Sequence, residues 1–137
     1  MNVLFFLTPK ALCSYLRQDD TIRQAMERFE ASGYTALPVL GDDGSYCGTL
    51  TEGDLLRALR HLCVMDMKQA ENHSIREIEP RRTVRSVGAD THVEDLLQIA
   101  LEQNFVPVVD DKSDFIGLVT RSRILKYFLQ ETKNADV

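Results

Sequence analysis

Apolar positions along the chain alternate between two periods, and the same order of alternation occurs twice. Ile22, Ala25, Met26 and Phe29 recur at helical spacing behind Asp19-Asp20-Thr21, whose short polar side chains suit a helix start near Ile22. Gly33 is placed to end that helix. The pattern then changes. Residues 35–40 and 46–50 read as strands, and Gly41-Asp42-Asp43-Gly44 between them supplies turn chemistry, so a hairpin is expected. Helical spacing returns with Leu55, Leu56, Leu59 and Leu62, and residues 14–17 read as a short strand ahead of the first helix. In the second half the strand is expected at 85–87 and the helix stripe at Val93, Leu96, Leu97, Ala100 and Leu101. Strands at 105–109 and 115–119 follow, then a helix lined by Ile124, Leu125 and Phe128.

The two halves also match residue by residue. Pro38-Val39-Leu40 leading to Gly48-Thr49-Leu50-Thr51 recurs 69 positions later as Pro107-Val108-Val109 leading to Gly117-Leu118-Val119-Thr120. The helix stripes align at an offset of 71, so the second copy is two residues shorter where the first has 32–37. A division follows into 1–68, a first repeat with an N-terminal arm, and 69–137, a linker with a second repeat. Duplicated units commonly create paired sites at their seam, which is where function is to be sought.

Composition narrows the field. With 137 residues, 44% apolar and 27% charged, the chain can bury one good core, and a net charge of -5 argues against nucleic-acid partners. Cys13, Cys47 and Cys63 are odd in number and lack CxxC spacing, so a reducing, cytoplasmic setting is expected. The apolar opening 1–7 is cut short by Thr8-Pro9-Lys10, too soon for a signal peptide or a membrane span, and reads as a packing arm or strand. The polar stretch 68–82, closed by Pro80-Arg81-Arg82, reads as a solvated linker, and Arg76 and Arg85 are read with it as solvated charge.

The chemistry sits at the end of each hairpin. Gly33-Tyr34-Thr35-Ala36-Leu37-Pro38-Val39 followed by Gly48-Thr49-Leu50-Thr51-Glu52-Gly53-Asp54 resembles the signature of a CBS domain. Asn104-Phe105-Val106-Pro107-Val108-Val109-Asp110 and Gly117-Leu118-Val119-Thr120-Arg121 are similar, and the tandem pair resembles a Bateman module from about Lys10 to Leu129. The resemblance implies an α+β fold: two β-α-β-β-α repeats packed as a pseudo-two-fold pair, with clefts between repeats that in this family commonly bind adenine nucleotides. Thr51 at a strand-to-helix junction can donate to a phosphate near the positive helix end, and the Asp54 carboxylate can accept both ribose hydroxyls. The same spacing also makes a capping box that merely satisfies the helix start. Ser14, Tyr15, Tyr34, Thr35, Ala36 and Pro38 are the expected adenine contacts in the first copy, with Val106 and Pro107 in the second. Tyr34 and Phe105 can equally be core aromatics.

The second copy departs from the pattern, since Thr120-Arg121-Ser122-Arg123 places Arg123 where Asp54 stands in the first. A cation near a helix N-terminus is unfavourable unless solvent screens it or an anion compensates, so Arg121 and Arg123 are either phosphate ligands or solvated surface residues. His61, His73 and His92 stand far apart without ligand spacing, and no nucleophile elbow, phosphate loop or dinucleotide fingerprint occurs. Neither a metal, a cofactor nor catalysis is expected. Two functions remain open. One is a regulatory sensor that binds AMP, ADP, ATP or cyclic di-AMP and signals to a protein partner, as a homodimer through its final helices. The other is a structural dimerisation module with degenerate, empty sites.

Overall fold

The computed structural model describes residues 1–135, and within them the chain forms a mixed α+β structure with two sheets. In chain order the elements are β1 (Thr8–Pro9), β2 (Leu16–Arg17), α1 (Ile22–Ser32), β3 (Ala36–Leu40), β4 (Tyr46–Thr51), α2 (Glu52–His61) and α3 (Met67–Glu71). They continue with β5 (Val87–Gly88), α4 (Val93–Ala100), β6 (Phe105–Val109), β7 (Phe115–Thr120) and α5 (Arg121–Ala135). Two compact units result. Ser14–Thr83 forms the first-repeat unit, while Met1–Cys13 joins the chain from Val84 onward to form the second-repeat unit.

In the first-repeat unit β3 runs parallel to β2 and antiparallel to β4, with Ala36 opposite Thr51 and Pro38 opposite Thr49. The helix α1 begins where expected because Thr21 and Gln24 cap each other reciprocally, and it ends at Gly33, whose φ of 73° lies in the left-handed region. Its stripe of Ile22, Ala25 and Phe29 packs on Leu37, Leu50, Leu55 and Ala58. Leu56, expected on the apolar face of α2, is 69% exposed, because it stands one residue beyond the buried Leu55. The stretch read as a solvated linker belongs to this core as well. Ala70, Ile75 and Ile78 are buried in it, three apolar positions too widely spaced among charges to show in composition. Arg76 there is not merely solvated, since its guanidinium pairs with Asp19 at 2.8 Å.

The second-repeat unit has a four-stranded sheet in the order β1-β7-β6-β5. Its outer strand β1 comes from the N-terminal arm and pairs with β7 through Thr8 opposite Leu118 and Pro9 opposite Gly117. Val3 and Phe6, three residues apart on a 3-10 turn, are buried with Leu96, Val106, Val119 and Ile124. The arm therefore belongs with the second repeat and not with residues 1–68, since only there do its apolar pair and its strand find partners. Residues 69–83 likewise sit in the first-repeat unit, and the last two positions of 69–137 lie outside the described residues.

The two arms are themselves equivalent. The N–H of Val3 donates to the carbonyl of Thr91 at 2.9 Å, and the N–H of Ile75 donates to the carbonyl of Asp20 at 3.0 Å. The chain thus reads arm, body, arm, body, and each arm packs on the body that it does not directly precede. The two-residue shortening of the second copy falls at the end of α4, which stops at Ala100 while α1 runs to Ser32. Leu101, expected on the buried stripe, lies just past that end and is 76% exposed. On α5 only Ile124 is buried, and Leu125 faces outward.

Candidate functional site

At the end of β4 the backbone of Thr51 is still extended, and α2 begins with the next residue. The Thr51 hydroxyl accepts the N–H of Asp54 at 3.0 Å, and Asp54 Oδ2 accepts the N–H of Thr51 at 2.9 Å, so the capping box is complete. Asp54 Oδ1 accepts the N–H of Arg81 at 3.1 Å and an N–H of the Arg57 guanidinium. Only 3% of Asp54 is exposed. Burial pushes its pKa up, but the N–H groups of Thr51 and Arg81, the Thr51 hydroxyl and the Arg57 guanidinium together hold it below the usual carboxylate range. Both oxygens are thus engaged. Oδ1 accepts two bonds and Oδ2 one, so a single ribose hydroxyl can donate to Oδ2 as the site stands, and a diol using both oxygens must take the place of Arg57 or of the Arg81 N–H.

The other first-copy residues gather around this junction. The carbonyl of Thr35 accepts the N–H of Glu52 at 2.9 Å, and Ala36 lies opposite Thr51 in the sheet. Tyr34 follows the αL turn at Gly33 and is 58% exposed, so it is no core aromatic and its ring is open to a ligand. Ser14 and Tyr15 are half-buried and lead into β2, which runs parallel to β3. The Tyr15 carbonyl accepts from Arg28 at 2.9 Å. Pro38 is buried opposite Thr49.

The second-copy junction keeps half of this arrangement. The Thr120 hydroxyl accepts the N–H of Arg123 at 3.2 Å, but the Arg123 side chain has no acceptor to return to Thr120. Its Nε instead donates to the carbonyl of Phe6 in the arm at 3.1 Å. The Arg121 N–H donates to the Asn104 carbonyl at 2.8 Å, the counterpart of Glu52 and Thr35. The Arg121 Nε donates to the Ala100 carbonyl at 2.7 Å. This removes much of the expected cost of Arg121 at a helix start, because its cation lies at the C-terminal end of α4, where the helix dipole favours it. Val106 is 1% exposed and Pro107 is also buried, so β6 offers a ligand backbone rather than these side chains.

Each unit holds a surface cavity between the helix that follows its hairpin, α2 or α5, and its arm. In the first-repeat unit it measures about 300 Å³ and is lined by Asp54, Arg57, His61, Glu77 and Glu79. In the second-repeat unit it measures about 410 Å³ and is lined by Phe5, Ser122, Arg123, Lys126, Tyr127 and Gln130. The positions correspond and the charges do not. Arg57 and Lys126 were not singled out in the sequence, although each stands three residues after its Asp54 or Arg123 counterpart, one turn along the same helix face. Among the described residues no group of three His, Cys, Asp or Glu side chains is arranged to hold a metal.

The duplicated hairpin, its capped junction and the exchanged arms define a tandem of two related α+β repeats. The chain belongs to the CBS domain family, whose profile matches residues 11–61 and 75–130, one match per repeat. Among curated relatives, the chloroplastic CBS domain-containing protein CBSX1 of Arabidopsis thaliana is 23% identical over 155 residues, covering 96% of this chain and 65% of that protein. CBSX2 of the same plant is 24% identical, and this chain spans 66% of it, so the chain matches about two thirds of each relative's length. A structure of CBSX2 in complex with AMP superposes with a TM-score of 0.75 at 25% identity, covering 96% of this chain and 98% of that one. CbpB of Listeria monocytogenes in complex with c-di-AMP shares the fold, with a TM-score of 0.80, 19% identity and coverage of 96% and 97%. No helix among the described residues is long and apolar enough to cross a membrane.

Proposed function

We propose that this chain is a non-catalytic regulatory module that binds an adenine nucleotide and passes the binding on as a conformational change to a protein partner. The observation that carries this reading is the gathering of exposed Tyr34, the Thr35 and Ala36 backbone, Thr51 and the ionised Asp54 at one strand-to-helix junction. It offers an aromatic surface, backbone hydrogen-bonding groups, a hydroxyl beside a positive helix end, and a carboxylate for a diol. Ser14, Tyr15 and Pro38 extend that surface, while Val106, Pro107, Thr120, Arg121 and Arg123 are the matching set in the second-repeat unit. The AMP bound by CBSX2 supports an adenine ligand. Exposed Leu56 on α2 and Leu125 and Leu129 on α5 support self-association into a homodimer, which light scattering will test. The three free cysteines fit a reducing, cytoplasmic setting.

A second reading, an interaction module with empty sites, is favoured by one observation: both oxygens of Asp54 are already engaged inside the protein. A panel of AMP, ADP, ATP, cyclic di-AMP and S-adenosylmethionine, read by thermal shift and calorimetry, separates the two. Saturable stabilisation by one of the adenine nucleotides supports the sensor. No heat and no shift with any of the five would leave the interaction module.

A further inference from the structure

We propose that the outer edge of β4 takes up an extended, uncharged segment of a partner protein as an added strand. This is independent of the nucleotide reading, since it needs none of the residues assigned to that ligand. β4 is the last strand of its sheet, in the order β2-β3-β4. On its inner side Thr49 stands opposite Pro38, which has no N–H to give, so the two form one of the pairs in an antiparallel ladder whose backbone groups point away from each other. The N–H and the carbonyl of Thr49 therefore face outward, over the edge.

The second-repeat unit shows what such an edge receives. There Leu118 stands opposite Pro107 in the same way, and β1 lies along its outer side with Thr8 opposite Leu118. The approach is so close that a Cβ on Gly117 would come within 2.2 Å of the Thr8 carbonyl oxygen. Gly48, the equivalent glycine, would meet nothing within 4 Å, so the place of β1 is unfilled there. The reason lies in the second arm. Asn2 caps the turn at Val3 through its side chain as Ser74 caps the turn at Ile75, and counting on from these caps puts Pro80 where the first arm has Thr8. Pro80 has no N–H for the Thr49 carbonyl, and the N–H of Arg81 is already given to Asp54 at 3.1 Å. Among the described residues no strand forms between Glu77 and Val87.

A groove is left at the edge. Its cavity measures about 270 Å³ and is lined by Val39, Gly48 and Thr49 from the hairpin and by Ile75, Ile78 and Pro80 from the arm. The one charged side chain in the lining, Arg76, is paired with Asp19 at 2.8 Å, so the groove matches a segment without charge. Outward backbone groups bind another backbone in extended form, and the apolar lining accepts an apolar side chain from it. Because the arm forms the far wall, a single strand fits here and the flat sheet edge of a second copy does not.

The test is a titration of the full chain with a blocked peptide of residues 6–11, the segment that covers the equivalent edge, followed by amide NMR. The one charge in this peptide, Lys10, lies beyond the two residues that pair in β1. The amides of Cys47, Gly48, Thr49 and Leu50 are expected to shift, and that of Thr49 to exchange more slowly with solvent in the complex. The same peptide carrying Thr8→Pro, which has no N–H for the Thr49 carbonyl, is expected to bind about fivefold more weakly, as loss of one backbone hydrogen bond should. Unmoved amides from Cys47 to Leu50, or equal affinity of the two peptides, would overturn the inference. Shifts at Gly117 and Leu118 alone would do the same, since the peptide would then only displace β1. If diluting the chain without peptide moves the four β4 amides, the edge belongs to a second copy and the inference falls.

Discussion

The two hairpins end in the same way and are finished by opposite charges. After β4 a buried carboxylate closes a reciprocal cap on Thr51 and gathers Arg57 and the Arg81 backbone around it. After β7 a guanidinium stands in the corresponding place, leaves the cap half-made and turns to the arm. The difference shows that duplication conserves the chain path, because strand pairing and core spacing depend on it, while the side chain at the junction is free to change sign. One unit satisfies its charge internally, and the other leaves it on its surface.

The arms offer the strongest way to break this comparison. Deleting residues 1–7 removes Val3 and Phe6 from the second-repeat core, two side chains whose burial is worth about 1.5 to 3 kcal/mol each. Amide exchange is expected to collapse across residues 84–135 while α1 and β3 keep their protection. Equal loss in both units would show that the arms do not divide the fold in this way.

A smaller contrast lies in two equivalent glycines. Gly117 has a φ of 153°, and a Cβ there would come within 2.2 Å of the Thr8 carbonyl oxygen, whereas Gly48, at 148°, has nothing within 4 Å of such an atom. Gly48→Ala carries only backbone strain, of about 1 to 2 kcal/mol, and Gly117→Ala adds a clash that must push β1 off the sheet. Urea denaturation should therefore rank Gly117→Ala well below Gly48→Ala, and equal midpoints would contradict the pairing of β1 with β7.

The junctions give the next effect. Asp54→Ala leaves the Thr51 and Arg81 N–H groups without their acceptor and is expected to cost about 2 to 3 kcal/mol, against under about 1 kcal/mol for the exposed Arg123→Ala. The sign with pH is fixed by the lowered pKa of Asp54. Its contribution is present at and above the ordinary carboxylate range and is lost as pH falls through the depressed value. Asp54→Asn should flatten that part of the acid limb, and an unchanged limb would place the stabilisation elsewhere.

Much of this was legible in the sequence. The 3.6-residue stripes and the Pro-to-Gly spacing located α1, the β3–β4 hairpin and their copies within a residue or two, because burial on one face imposes those periods. Gly33 and Thr21 marked helix ends through local chemistry that needs no tertiary context. The exchange of arms was not legible, since nothing in the apolar run 1–7 or in the spaced pair Ile75 and Ile78 says which of two similar bodies it covers. At the site, Asp54 and Arg123 could be named from the motif alone. The Arg81 contact with Asp54 could not, because Arg81 reaches it through its backbone N–H, which any residue but proline would supply.

We propose that the two junctions, related in path and unequal in chemistry, divide the work so that Asp54 serves the ribose of an adenine nucleotide. Calorimetric titration of AMP into the parent chain, Asp54→Ala and Arg123→Ala tests it most directly, with the fold of each variant checked by its melting transition. Asp54→Ala is expected to weaken AMP about tenfold, as loss of a charge-assisted pair of hydrogen bonds should, and Arg123→Ala to weaken it less. Equal affinity in a folded Asp54→Ala chain would contradict it.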